Sequence, residues 1–97
     1  MIEYTHVDGI DKGDVRLFAL STCVWCKRTK QLLTSLGVSY DYVFVDELDG
    51  PNKEEVVEAV KEHNPRCSYP TLVINNSDCI VGYKKELIEE ALGDSVS

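Results

Sequence analysis

Two cysteines stand three positions apart in the stretch "TCVWCKRTK", residues 22–30: Cys23 and Cys26, with Val24 and Trp25 between them. Cysteines at this spacing serve as half of a metal knuckle, as a structural staple or as a redox centre. The chain has only four cysteines, so the choice largely decides its function. The other two, Cys67 and Cys79, follow after 40 and then 11 intervening residues. Tetrahedral zinc commonly takes two close pairs, so a four-cysteine zinc site is a poor match. A Cys67–Cys79 disulfide fits poorly as well. With a turn at 75–78, Cys79 pairs near Ile74, and Cys67 lies roughly 23 Å back along an extended strand. A disulfide needs its Cα atoms within about 7 Å. Cys79 is therefore expected to be a buried small hydrophobe. Cys67 is either a third redox thiol or a loop residue. His6 and His63 have no ligand spacing, and no metal site is expected.

Composition narrows the setting. The chain has 97 residues, 43% of them hydrophobic and 28% charged, as in one ordinary globular domain. No apolar run approaches the roughly 18 residues of a membrane span. The N-terminal "MIEYTHVDGIDKGD" has no apolar block and does not read as an export leader. A reducing, cytoplasmic location is the expectation, and there a C-x-x-C pair binds metal or does redox chemistry. The net charge of −7 disfavours nucleic-acid binding, which needs a basic face. The charge is uneven. Residues 41–62 are acidic and read as a solvated face, whereas Lys27, Arg28 and Lys30 cluster directly after Cys26.

The elements that must position the cysteines alternate in type. "DVRLFAL" (14–20) reads as a buried strand. "VWCKRTKQLLTSLG" (24–37) carries an apolar helical stripe through Leu32, Leu33 and Leu36, with Gly37 placed to stop it. "SYDYVFVD" (39–46) is β-branched and aromatic, hence a strand. "KEEVVEAVKEHN" (53–64) reads as a helix, with Asn52 as its N-cap and Pro65 closing it. "PTLVIN" (70–75) and "CIVG" (79–82) form a hairpin, and "KKELIEEALG" (84–93) is a final amphipathic helix. The order β-α-β-α-β-β-α predicts an α/β fold: a central four-stranded mixed sheet with helices on both faces. Residues 2–8 give a weak signal for an additional strand.

Cys23 falls where the first strand ends and the first helix begins. A helix N-terminus presents unpaired N–H groups and a partial positive charge, and both favour a thiolate. Cys26 lies one turn deeper on the same face, within bonding reach of Cys23. Lys27 and Lys30 fall near that face by spacing, either as ordinary surface lysines or as a source of positive potential there. Trp25 is expected as a partly exposed apolar surface at the mouth of the site. Far along the chain, Pro70 in "CSYPT" stands at the start of a strand, and an X-Pro bond adopts cis at modest cost.

This combination resembles the thioredoxin fold and, within it, the glutaredoxin family. "CVWC" is similar to the glutaredoxin "C-P-Y-C", with Val24 for the proline and Trp25 for the tyrosine. "SYPT" is similar to the family's "T-V-P" cis-proline segment. "CIVGY" resembles the strand-then-glycine element that follows, with Gly82-Tyr83 where a double glycine is usual. The resemblance spans about residues 14–93. It implies that Cys23 is the nucleophile and Cys26 the resolving thiol, and that Pro70 is cis beside them. Tyr69 would offer its backbone to an extended substrate. Trp25, Lys27, Tyr69, Pro70, Thr71, Gly82 and Tyr83 are the implied substrate-binding residues.

The resemblance implies a dithiol–disulfide oxidoreductase with no bound cofactor, acting as a monomer on disulfide-containing proteins or small disulfides, with no nucleic-acid or membrane partner. Its electron donor would be glutathione or a thioredoxin-reductase-like flavoenzyme. Leu20, Ser21 and Thr22 stand where the family usually has a lysine for the glutathione carboxylate, and Glu86 is a loose match to the acidic residue expected after the glycines. The alternative is an iron–sulfur or metal carrier using Cys23 as ligand, against which the presence of Cys26 argues.

Overall fold

The structure, a computed structural model, describes residues 3–93. Along the chain run β1 (Thr5–Val7), β2 (Val15–Ala19), α1 (Val24–Ser35), β3 (Tyr40–Phe44), α2 (Gly50–His63), β4 (Thr71–Ile74), β5 (Asp78–Val81) and α3 (Lys85–Leu92), with a single 3₁₀ turn at Val45–Glu47.

The continuous apolar run of β2 has a direct cause: both of its faces are covered. Leu17 and Ala19 point into a core shared with Leu32 and Leu33 of α1 and Ile88 and Leu92 of α3. Phe18 points the other way, into a smaller core with Val56 and Val60 of α2. β4 is split in the same manner, Leu72 and Ile74 toward one core and Val73 toward the other. Successive strand residues face opposite sides, so two helices lie on one face of the sheet and α2 on the other.

The sheet order is β1-β3-β2-β4-β5. β2 and β3 are parallel, joined through α1, with Ala19 opposite Phe44. β4 runs antiparallel to both β2 and β5. The β4–β5 turn uses Asn75 and Asn76, both at positive φ (53° and 56°). The Ser77 N–H closes it on the Ile74 carbonyl at 3.2 Å, as in the primed turns that match strand twist.

Two expectations need correction. The sheet has five strands, not four, because β1 pairs antiparallel with the free edge of β3, Thr5 opposite Tyr42 and Val7 opposite Tyr40. Only Val7 of this strand is even half-buried, so it carries little of the apolar alternation by which strands are read. The second helix begins at Gly50 with Asp49 as N-cap, rather than at Lys53 with Asn52 as cap. Pro51 is compatible with the first turn, where its missing N–H costs nothing. Elsewhere the stop at Gly37 falls where expected, with φ +72° after the helix and its N–H on the Thr34 carbonyl at 3.0 Å. Among the described residues no helix is long and apolar enough to cross a membrane.

Candidate active site

Cys23 is the N-cap of α1, in extended conformation, and its Sγ accepts a hydrogen bond from the Cys26 backbone N–H at 3.1 Å. A cap normally supplies oxygen to the unpaired N–H groups of the first turn. Here a sulfur takes that role, which puts one first-turn donor on the thiol itself. Cys23 is half-buried, whereas Cys26 is fully buried. Burial, with the adjoining Cys23 thiol, pushes the Cys26 thiol up to about 12, against the pull of the Leu20 N–H. That N–H points at Cys26 Sγ from 3.5 Å. All four cysteines are free thiols. The two thiols of the pair thus have separate environments: one at the surface on the helix dipole, one inside.

The second part of the site is the loop before β4. The Tyr69–Pro70 bond is cis. Phe18 lies opposite Thr71 in the β2–β4 ladder, so one further step puts Pro70 beside Ala19 and the segment that leads to Cys23. The Pro70 carbonyl accepts from the Gly82 N–H at 2.8 Å, and Gly82 adopts φ +85° to make that approach. Tyr69 packs against both cores. Burial first, and then the neighbouring Cys67 thiol, raise its phenol well above the ordinary range.

Thr71 is placed differently from a ligand-binding side chain. It is fully buried, and its hydroxyl donates to the Ser68 carbonyl at 2.6 Å. Asn64, the buried C-cap of α2, donates from Nδ2 to that carbonyl, to Ser68 Oγ and to Thr71 Oγ1, at 3.2, 3.2 and 3.1 Å. One side chain therefore ties the end of α2 to the start of β4 across the cis-proline loop. Asn64→Ala leaves this buried cluster short of donors, so we expect a loss of about 1–3 kcal/mol in urea unfolding. An unchanged midpoint would show that the loop does not depend on it.

Trp25 and Tyr83 close the site on its outer side. Trp25 is 54% exposed, and its ring stacks on Tyr83 with centroids 5.8 Å apart and planes 26° apart. The Arg28 guanidinium lies 5.3 Å over the indole. Lys27 is exposed on the same side of α1, where it lines a groove with Val24, Arg28 and Tyr83. Lys30 departs from expectation: its ammonium stands 3.8 Å over the Tyr42 ring and 5.1 Å over Phe44, packed across β3 rather than at the cysteines. The helical period accounts for this, since α1 turns its basic cluster across two sides.

Two residues that position the site carry no distinguishing signal in the sequence. The Asp46 carboxylate accepts from the Ser21 backbone N–H at 2.8 Å and from Ser21 Oγ at 2.5 Å. These bonds hold it below the usual carboxylate range and pin the turn just before Cys23. By sequence Asp46 reads as one of the solvated acidic residues of 41–62, and Asn64 only as a helix end. Cys79 also needs correction. It is half-buried, not buried, because it sits on the edge strand β5 opposite Val73. Cys67 adopts φ 52° and places its Sγ 3.4 Å from the Tyr69 hydroxyl. His6 is bonded to Asp41 at 2.7 Å. Among the described residues no three His, Cys, Asp or Glu side chains converge to hold a metal ion.

Comparison with known proteins agrees with this geometry. The family model described as Glutaredoxin matches residues 15–79. A glutaredoxin from Methanosarcina mazei Go1 is 54% identical, with a TM-score of 0.88 over 94% of this chain and 88% of that one. Methanosarcina acetivorans methanoredoxin is 50% identical, with a TM-score of 0.86 over 89% of this chain and 90% of that one. A glutaredoxin-like 8.6 kDa protein of the Clostridium pasteurianum rubredoxin operon is 27% identical over 80% of this chain and 96% of its own length. With a sulfur-capped helix facing a cis-proline loop, and a family match over most of its strands and helices, the chain belongs to the glutaredoxin family.

Proposed function

We propose that the chain is a dithiol–disulfide oxidoreductase that reduces protein or small-molecule disulfides through Cys23 and Cys26. The observation that carries this reading is the Cys26 N–H bonded to Cys23 Sγ at 3.1 Å, on a half-exposed thiol at a helix N-terminus. In the first step the Cys23 thiolate attacks one sulfur of the substrate disulfide. A Cys23–substrate disulfide forms, the substrate S–S bond breaks, and the leaving thiolate takes a proton. In the second step the Cys26 thiol gives up its proton and attacks Cys23 Sγ. The Cys23–Cys26 disulfide forms and the second substrate thiol leaves. Two electrons pass to the substrate, and a thiol or flavoenzyme donor returns them.

The backbone of Tyr69 supports the same reading. Neither its N–H nor its carbonyl is bonded to a described residue outside the strands, which suits pairing with an extended substrate segment. We assign Trp25, Lys27, Gly82 and Tyr83 to substrate contact as well, on the Trp25–Tyr83 stack, the place of Lys27 beside Tyr83 and the Gly82 N–H bonded to the Pro70 carbonyl, with Pro70 and Thr71 holding the loop that carries Tyr69.

For the donor we favour a thioredoxin-reductase-like flavoenzyme over glutathione, because Leu20, Ser21 and Thr22 put no cation before Cys23. The test is a coupled assay with one uncharged disulfide substrate and two electron sources, glutathione with its reductase and a thioredoxin-reductase system. Faster turnover with the flavoenzyme is expected. Turnover with neither source would overturn the oxidoreductase reading, and faster turnover with glutathione would overturn the choice of donor.

A further inference from the structure

α1 and α3 lie side by side on one face of the sheet, and the space between them is an open groove of about 650 Å³. It begins at Val24, the residue after Cys23, and is bordered by Lys27, Arg28, Tyr83, Lys85 and Glu89. Three cations face one carboxylate there, in a chain whose net charge is −7. Among the described residues none of the three cations is ion-paired. At the groove's mouth stand exposed apolar side chains, Val24 at 60% and Trp25 at 54%. The Trp25–Tyr83 stack and the Arg28 guanidinium above it have the composition of an interface hot spot.

We propose that this groove is a substrate-selecting surface, which docks an acidic peptide segment lying beside the disulfide to be reduced. The proposal rests on the dithiol reading above and names its preferred substrate class. Lys27, Arg28 and Lys85 face the segment's carboxylates, and the Trp25–Tyr83 pair receives an apolar side chain next to them. The charge distribution decides for an acidic occupant. An acidic partner is repelled by most of this chain and attracted at the groove, so the encounter is oriented with the disulfide toward Cys23. An open groove gives a small anion little shelter from solvent and salt. An extended segment gains from several cations and the aromatic pair together.

The 97-residue chain offers a direct probe, because Trp25 is its single tryptophan. Two synthetic peptides share one intrapeptide disulfide, one flanked by glutamates and the other by lysines. Their serine-for-cysteine analogues are titrated against Trp25 fluorescence, and the disulfide forms are assayed as substrates. The glutamate analogue is expected to bind at least about tenfold more tightly at low salt, with the gap closing as salt rises. The same preference is expected in kcat/KM, carried mainly by KM, and the double variant Arg28→Glu/Lys85→Glu is expected to bring the ratio to about one or below. Equal binding of the two analogues by the unaltered protein overturns the proposal, as does a ratio that the double variant leaves unchanged. If neither peptide is reduced, the dithiol reading falls, and the fluorescence titration still decides whether the groove prefers acid.

Discussion

Cys23→Ser is expected to lower disulfide reduction at least about a thousandfold, to the rate without protein, while leaving the fold intact. The fold argument is local. Serine is among the preferred N-cap residues, and its Oγ can accept the Cys26 N–H that Cys23 Sγ now accepts at 3.1 Å. α1 therefore keeps its cap, and the thermal midpoint is expected to stay within a few degrees of the parent. The chemistry does not survive in the same way. A serine hydroxyl does not attack disulfides at neutral pH, because the thiolate is the nucleophile. Cys26 cannot take over, since it is fully buried and its thiol is pushed up to about 12. Cys67 is equally unsuited to replace it, with its Sγ turned to the Tyr69 hydroxyl at 3.4 Å. Initial rates with an uncharged disulfide, alongside a thermal melt, give the result. A folded Cys23→Ser protein that turned over at the parent rate would remove Cys23 from the mechanism.

How far the sequence leads depends on whether a feature is local. The stripe through Leu32 and Leu33, the stop at Gly37 and the continuous apolar run of β2 are all local, and they placed α1, β2 and the Cys23 junction between them. The place of Pro70 after the second helix, at the start of a strand, was local too, but its cis state came only from the resemblance of "SYPT" to the glutaredoxin segment. The pairing of Asp46 with Ser21 was not readable in this way. It depends on the parallel register that sets Ala19 opposite Phe44, so the residues two steps beyond each meet in the turns that follow. Nothing near Asp46 in the chain distinguishes it from its solvated acidic neighbours. Asn64 likewise looks like an ordinary helix end until β4 arrives beside it. The half-exposure of Cys79 has a related cause: a short apolar strand reads the same at an edge as in the centre. The Trp25–Tyr83 stack joins α1 to the segment before α3, and only the shared side of the sheet brings them together.

Cys26→Ser separates the two halves of the reaction. The first half needs only Cys23, so this variant is expected to accept one substrate half and stop, holding a stable Cys23–substrate disulfide. Intact-mass measurement after a single turnover would find one adduct per chain, and peptide mapping would place it on Cys23. Serine is tolerated at position 26 because the Leu20 N–H, 3.5 Å from Cys26 Sγ, can donate to a hydroxyl as well. On the proposed mechanism the second half is gated in the parent by the Cys26 proton. A thiol held near 12 is thiolate in only a minute fraction at neutral pH, and the fraction rises about tenfold per pH unit below that value. Release of the second product is therefore expected to accelerate with pH in the parent, and the adduct of Cys26→Ser to persist across the same range. The same proton fixes the sign of the stability effect. The folded chain holds it more tightly than the unfolded chain, whose thiol titrates near 9.0. This contribution is complete below about pH 9 and is lost as pH rises toward 12, because the unfolded state then binds fewer protons. Melting scans of the reduced protein should fall more steeply above pH 9 than those of Cys26→Ser. If the two fell in parallel, or if the Cys26→Ser adduct resolved as fast as in the parent, Cys26 would not be the resolving thiol.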